Sequence, residues 1–202
     1  MYKDVTVYNI QDYLSISEDG FGEKELEDLL SEFSCIKNPD VERFLKNNAI
    51  EFAKKHQSVT YLVFSNLDAE LLGYFTLAIK PISVKAERFS NTIKRKIARV
   101  SEFDEDSCTY TLSAYLIAQL GKNFTNGTNE RIQGNQLLEI AIETVKQLQY
   151  MAGGMVVFLE AENEEKLMRF YEEQNNFKKF DTRKTQAGTE NMHDLIQLLK
   201  IL

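Results

Sequence analysis

Residues 131–136 read Arg131-Ile132-Gln133-Gly134-Asn135-Gln136 and open an amphipathic helix that follows an apolar strand. A strand that runs through a glycine-containing turn into a helix presents backbone N–H groups and the positive end of the helix dipole to solvent. Such a turn binds phosphate oxygens. Gly134 lets the backbone approach a pyrophosphate with no Cβ in the way, and Arg131 at the entrance adds charge. A single glycine before a helix is equally ordinary punctuation between elements, so the turn alone supports both readings. The second candidate is Tyr171, in Phe170-Tyr171. Taken by itself, an aromatic pair on an amphipathic helix reads as core packing.

The elements around these residues follow from periodicity. Leu26, Leu29, Leu30 and Phe33 give a short surface helix over 22–33, and Pro39 starts a longer one whose apolar face runs on toward Lys55. Two helices thus precede the sheet. Val59 to Ser65 and Leu71 to Ile79 are β-branched and aromatic runs around the turn residues Asn66-Leu67-Asp68, the pattern of a hairpin. Between Lys85 and Arg99 lies a basic helical segment, followed by acids from Glu102 to Asp106. Thr109 to Leu120 reads as a long strand and Gly121 to Asn129 as a polar loop.

From Gly134, the positions Leu137, Leu138, Ala141, Val145 and Leu148 form one helix face that Ala152-Gly153-Gly154 ends. Met155 to Leu159 follows as a strand. Asn163 caps the next helix, with Leu167, Phe170 and Tyr171 as its buried stripe, and Phe177–Arg183 and Leu195–Leu202 close the chain as strands. This order gives an α/β chain with a mixed sheet and no internal repeat.

A chain of 202 residues with 43% hydrophobic content buries a core, and the length predicts a single domain over 1–202. Met1 to Asp4 carry no basic region leading into an apolar run, and no stretch approaches the roughly 18 apolar residues of a membrane span, which predicts a soluble cytoplasmic protein. Cys35 and Cys108 stand far apart, with no pattern that suggests a metal site or a disulfide. The sequons at Asn123 and Asn126 read as loop chemistry. Cys108 reads as a buried strand residue rather than a nucleophile, since the two histidines, His56 and His193, form no pattern with it. A net charge of -7 argues against a surface coated in positive potential, although the charge is segregated along the chain.

Arg-x-x-Gly-x-Gln is similar to the Gln/Arg-x-x-Gly-x-Gly/Ala turn of the GNAT acetyltransferases, and the flanking segments match as well. Leu116-Ile117-Ala118-Gln119-Leu120 resembles the strand before that turn, and Asn163, Phe170-Tyr171 and Phe177 resemble the Asn…Phe-Tyr…Gly-Phe segment after it. The resemblance implies a mixed, mostly antiparallel central sheet flanked by helices, with two N-terminal helices and an inserted basic helix before the fourth strand. It implies acetyl-CoA as acetyl donor and direct transfer to an amine. Leu120, Gly121 and Lys122 would line the pantetheine arm, Arg131, Ile132, Gln133, Gly134, Asn135 and Gln136 would hold the pyrophosphate, and Asn163 is a further cofactor contact. Tyr171 inherits the role of acid toward the CoA thiolate. Gln136 departs from the family's small residue and crowds the phosphate site, Asn175-Asn176 stands where a Gly usually precedes the phenylalanine, and the loop from Lys122 to Glu130 is long.

Phe33-Ser34-Cys35, Asn38, Val41, Phe44-Leu45 and Ala49, with the hairpin residues Gly73 to Leu77, also resemble the GNAT toxins that acetylate aminoacyl-tRNA. Those have a basic segment where Ile93-Lys94-Arg95-Lys96-Ile97 stands here; Lys94, Arg95, Lys96 and Arg99 would meet tRNA phosphates. A solvated helix face is the alternative for these charges. Three functions remain open: an N-acetyltransferase for a small or protein amine, a tRNA-modifying toxin, and a module that binds acyl-CoA or a partner without turnover. Homodimerisation and an antitoxin partner are open too. Glu160, at a strand end, reads as an exposed terminal acid rather than as the base.

Overall fold

Alternating β-branched and aromatic residues on both sides of an Asn-Leu-Asp turn favour a hairpin. The computed structural model, which describes residues 4–15, 22–184 and 194–202, has one there. The chain divides into two compact units, one of Met1–Ala78 with Ile117–Thr144, the other of Ile79–Leu116 with Val145–Leu202.

In the first unit, β1 (Val5–Asn9) and α1 (Ile10–Ser15) come before α2 (Glu23–Ser31). The expectation of two helices ahead of the sheet is corrected here. β1 is a strand of five residues, too short for its alternation to stand out, and it is fixed by antiparallel pairing with β2 (Val59–Ser65), Val5 opposite Ser65. The expected long helix over Pro39 to Lys55 is broken at Asn48 into α3 (Pro39–Asn47) and α4 (Ala49–Lys54). Asn48 ends α3 and starts α4 with its backbone, while Asn38 caps α3 through its side chain, accepting from the N–H groups of Asp40 and Val41.

The helices of this unit share a core cluster with the hairpin. Leu26 and Leu30 of α2, Val41 and Leu45 of α3, Ala49, Ile50 and Ala53 of α4, and Leu62 of β2 pack with Phe33, Cys35 and Tyr74. Tyr74 lies on β3 (Leu71–Lys85), its ring edge-on to Phe33 at 5.2 Å. Its buried hydroxyl donates to the Val41 carbonyl at 2.5 Å, which satisfies the one polar atom this large side chain brings into the core. A register shift between Val63 and Phe64 bends β2 near its hairpin end.

β3 continues to Lys85, past the expected end at Ile79, because Ile82 and Val84 resume the buried alternation across Pro81. The basic helix α5 (Asn91–Ile97) follows, capped by Ser90, and then comes β4 (Glu102–Asp104). β4 was hidden in the acidic run; it pairs antiparallel with β5 (Thr109–Lys122), and Phe103 tilts against Tyr110 at 4.7 Å. α6 (Gly134–Ala152) has the expected bounds, its end set by Gly153 and Gly154 at φ 78° and 104°. β6 (Val156–Glu162), α7 (Glu165–Met168), β7 (Lys178–Lys184) and β8 (Asp194–Ile201) complete the order. The sheet runs β1-β2-β3-β5-β6-β8-β7 with β4 on β5, and the pairs β6–β8 and β7–β8 are antiparallel like those of the hairpins. Among the described residues no helix is long and apolar enough to cross a membrane. Met1 to Lys3 and His193 lie outside the described residues.

Candidate functional site

β5 delivers the chain to the turn through a crowded corner. A Cβ on Gly73 would stand 2.7 Å from the Gly121 carbonyl, and one on Gly121 would collide with the Val41 side chain. Both glycines are therefore required by close packing, and Gly121 sits buried under α3 and Tyr74. Asn123 follows and is also buried. Its side-chain oxygen accepts from the N–H groups of Ser34 and Thr125, both at 3.1 Å, and its amide nitrogen donates to Leu71 O at 2.9 Å. One side chain thus ties the end of β5 to the stretch before α3 and to the start of β3. Neither charge nor periodicity marks Asn123 in the sequence, where it reads only as part of a sequon.

Thr125 to Glu130 form a short helical stretch broken at Asn126 and Gly127, which take left-handed conformations. The Lys122 ammonium bridges back across it, donating to Asn129 O at 2.6 Å and Ile132 O at 3.0 Å. Burial, with repulsion from Lys37, holds the Lys122 ammonium below its ordinary pKa. Arg131 points to the β2–β3 hairpin. Its Nη2 donates to Asp68 and to Ser65 Oγ, each at 2.9 Å, and its Nη1 to Glu70 at 3.0 Å. The guanidinium beside Asp68 holds that carboxyl at about 2, well under the usual carboxylate range. Ile132 turns its side chain into the core, 2% exposed.

At the start of α6, Leu137 N–H donates to Gln133 O at 3.1 Å, so Gln133 is the capping residue and Gly134, Asn135 and Gln136 form the first turn. The Gln136 amide oxygen reaches back to the Gln133 N–H at 2.8 Å, which is half of a capping box. The residue expected to crowd the phosphate site is a helix cap in this structure. Its oxygen occupies the donor of Gln133, while Gly134 and Gln136 keep backbone N–H groups that have no acceptor one turn earlier in the helix. Gln133, Asn135 and Gln136 are exposed.

In the second unit, Tyr171 lies in a π-helical stretch, Arg169–Gln174, that continues α7. The expected buried stripe is corrected: Leu167, Phe170 and Tyr171 are half-buried. Tyr171 meets Phe170 edge-on at 4.9 Å and Phe177 at 5.9 Å. Desolvation by these neighbours pushes its hydroxyl up to about 12, so it stays a proton donor across the neutral range. Asn163 does not cap the helix. Glu164 N–H bonds Glu162 O at 2.8 Å in a tight turn, which moves the cap to Glu164 and leaves Asn163 exposed after β6. Glu160 lies within β6 and is not an exposed end: its side chain is 18% accessible and holds Arg183 at 3.0 Å and Gln197 at 2.7 Å.

On α5, Lys94 is half-buried and Arg95 and Lys96 are exposed; Arg99, just beyond the helix, is exposed too, as are Glu102 and Asp104 to Asp106. Cys108 is exposed in a left-handed turn after β4, which corrects the reading of a buried strand residue; its carbonyl accepts from Ala86 N–H. The described residues thus bring Lys122 and the segment from Arg131 to Gln136 together in one unit, with Leu120 and Gly121 at the end of the strand that leads there.

The arrangement of strands and helices is the mixed, mostly antiparallel fold that the GNAT resemblance implies. It is similar along nearly its whole length to AtaT complexed with acetyl-methionyl-tRNAfMet, at a TM-score of 0.60 and 18% identity, covering 96% of this chain and 94% of AtaT. A tyrosine-to-phenylalanine mutant of KacT matches at 0.63 and 17%, covering 98% and 95% of the two chains. So does a tyrosine-to-phenylalanine mutant of the toxin AtaT bound to the C-terminus of the antitoxin AtaR and acetyl-CoA, at 0.58 and 17%, over 98% and 93%. At such identities the likeness establishes the fold. No protein-family model matches the chain, and no curated protein sequence does.

Proposed function

We propose that this protein is an acetyl-CoA-dependent N-acetyltransferase that transfers the acetyl group directly to an amine. The observation that carries the reading is the β5–turn–α6 unit: a strand end, a pinned loop and a helix start whose N–H groups and dipole face outward, within a fold shared along nearly the whole chain with AtaT. Backbone donors from Gln133 to Gln136 would hold the pyrophosphate, Leu120, Gly121 and Lys122 the pantetheine arm, and Asn163 is retained as an outer contact. In the transfer, the amine nitrogen bonds to the thioester carbonyl carbon and the C–S bond breaks. Tyr171 gives its proton to the departing thiolate, and the amine releases one to solvent.

The acceptor favoured within this reading is aminoacyl-tRNA, since AtaT, which has the same fold, was captured with acetyl-methionyl-tRNAfMet. The exposed cations Arg95, Lys96 and Arg99 of the α5 region, with Lys94 beside them, suit a phosphate backbone. A partner of the antitoxin kind belongs to the same proposal. Calorimetry with acetyl-CoA tests the first step, and absence of binding refutes the enzyme. Acetyl transfer to charged tRNA tests the second: neutralising Lys94, Arg95 and Lys96 lowers it, and flattens its dependence on salt, if those residues meet phosphates. Full transfer with unchanged salt dependence removes them from the interface.

A further inference from the structure

Arg131 stands two residues before the turn assigned to phosphate, yet all its described contacts lead away from it. Two carboxylates and a hydroxyl receive its guanidinium: Asp68 and Ser65 Oγ at 2.9 Å and Glu70 at 3.0 Å. One cation against two anions leaves this cluster net negative, so a phosphate brought to Arg131 would meet the carboxylates as well. The receiving surface is itself braced. Ser65 and Glu70 close the hairpin through a 2.9 Å backbone bond, Leu67 N–H rests on Ser65 Oγ, and Asn66 N–H reaches Asp4 O.

The backbone on either side of Arg131 is held independently. Lys122 gathers the carbonyls of Asn129 and Ile132, which bracket Arg131 in sequence, and Arg131 N–H bonds Thr128 O at 3.0 Å. Lys122 therefore pins the main chain from the strand side while the Arg131 side chain pins it to the hairpin. A planar fork that engages several oxygens at once fixes direction as well as distance, which a point charge does not. The segment so fixed leads straight into the Gln133 cap and the first turn of α6.

We infer that Arg131 is a positioning residue: docking of its guanidinium on Ser65, Asp68 and Glu70 of the β2–β3 hairpin sets the place of the turn 133–136, and its charge is not offered to the phosphates. The inference rests on the acetyl-CoA reading of that turn for its functional meaning. It also makes the hairpin tip part of what sets the cofactor site.

The test uses Asp68→Asn with Glu70→Gln, which strips the dock of charge and leaves Arg131 in place. Acetyl-CoA affinity is measured by calorimetry, and amide exchange of residues 133–137 in the free protein is measured in parallel. Positioning gives binding about tenfold weaker, within the coupling range of one ion-pair network, together with faster exchange at 133–137. Direct contact gives the opposite sign, because freeing Arg131 from two carboxylates would tighten binding. Tighter or unchanged binding, or weaker binding with unchanged exchange, overturns the inference. Arg131→Lys keeps the charge and loses the fork, so it too weakens binding and speeds exchange. Should the natural protein bind no acetyl-CoA, the enzymatic reading falls, and the exchange measurement still decides whether the hairpin sets the turn: unchanged exchange in both variants rejects it.

Discussion

The approach to the α6 turn and the segment that carries Tyr171 are built in opposite ways. From Lys122 to Gln136 side chains bond to backbone or to an opposite charge over and over: Lys122 to two carbonyls, Asn123 to three backbone groups, Arg131 to the hairpin and Gln136 to Gln133. Around Tyr171 the chain relies on ring edges and on a widened helical turn, with Asn175 donating to Phe170 O and Phe177 N–H to Tyr171 O. A region that must hold a fixed array of donors gains from many directional bonds, each of which costs little once neighbours are ordered. On the proposed reading of Tyr171 as the acid, its partly desolvated setting keeps the proton on the hydroxyl across the neutral range.

The comparison can be broken at either end. The largest effect belongs to Tyr171→Phe, which removes the hydroxyl and little packing. It lowers kcat for acetyl transfer by about 10² to 10⁴ while acetyl-CoA affinity stays near that of the natural protein. Equal loss of affinity would move Tyr171 into the binding apparatus. Asn123→Ala comes next, since it orphans the N–H groups of Ser34 and Thr125 and the Leu71 carbonyl in a buried place. It costs about 1–3 kcal/mol for each group that water does not reach, read from chemical denaturation, and leaves the chemistry of any folded fraction intact.

Alkaline pH sharpens the same contrast. Tyr171 is held up at about 12 by desolvation, and the Tyr74 hydroxyl, buried against Val41, is raised further. A group whose folded pKa is raised contributes stability that is complete below its ordinary value of about 10 and is lost as pH climbs from there through the folded value. The unfolding midpoint therefore falls above pH 10, and Tyr171→Phe makes that fall shallower. The smallest effect is that of Gln136→Ala. Loss of this cap costs roughly 0.5–1 kcal/mol, while the Gln133 N–H is released, so acetyl-CoA binds a few-fold more tightly. Weaker binding would make the Gln136 amide a ligand contact instead of a stand-in for one.

These contrasts also separate what the sequence made legible from what it did not. α6 could be read from end to end, because an unbroken apolar face runs over 19 residues and two glycines stop it in conformations that other residues avoid. The hairpin was legible for the same reason, its alternation being long and its turn residues typical. β1 was not, because five residues of alternation acquire meaning only beside β2. The break at Asn48 had no proline or glycine to announce it. Within the candidate site, Gly134 and Tyr171 were visible as residue types. The work of Asn123, Gln136 and Arg131 was not, since each acts through a partner that only the fold brings near, in the case of Arg131 more than sixty positions away along the chain. The cap shifted from Asn163 to Glu164 for an equally local cause, one tight turn that composition does not reveal.

Hairpin tips are ordinarily the places where a protein accepts an inserted residue, a tag or a new terminus at little cost. The tip between β2 and β3 looks the part, with Leu67 88% exposed. Its flanks at Ser65, Asp68 and Glu70 nevertheless grip Arg131, so a single extra residue there would alter the spacing of three contacts at once. For anyone engineering this chain, the tip is a place to attach a reporter at Leu67 without lengthening the loop.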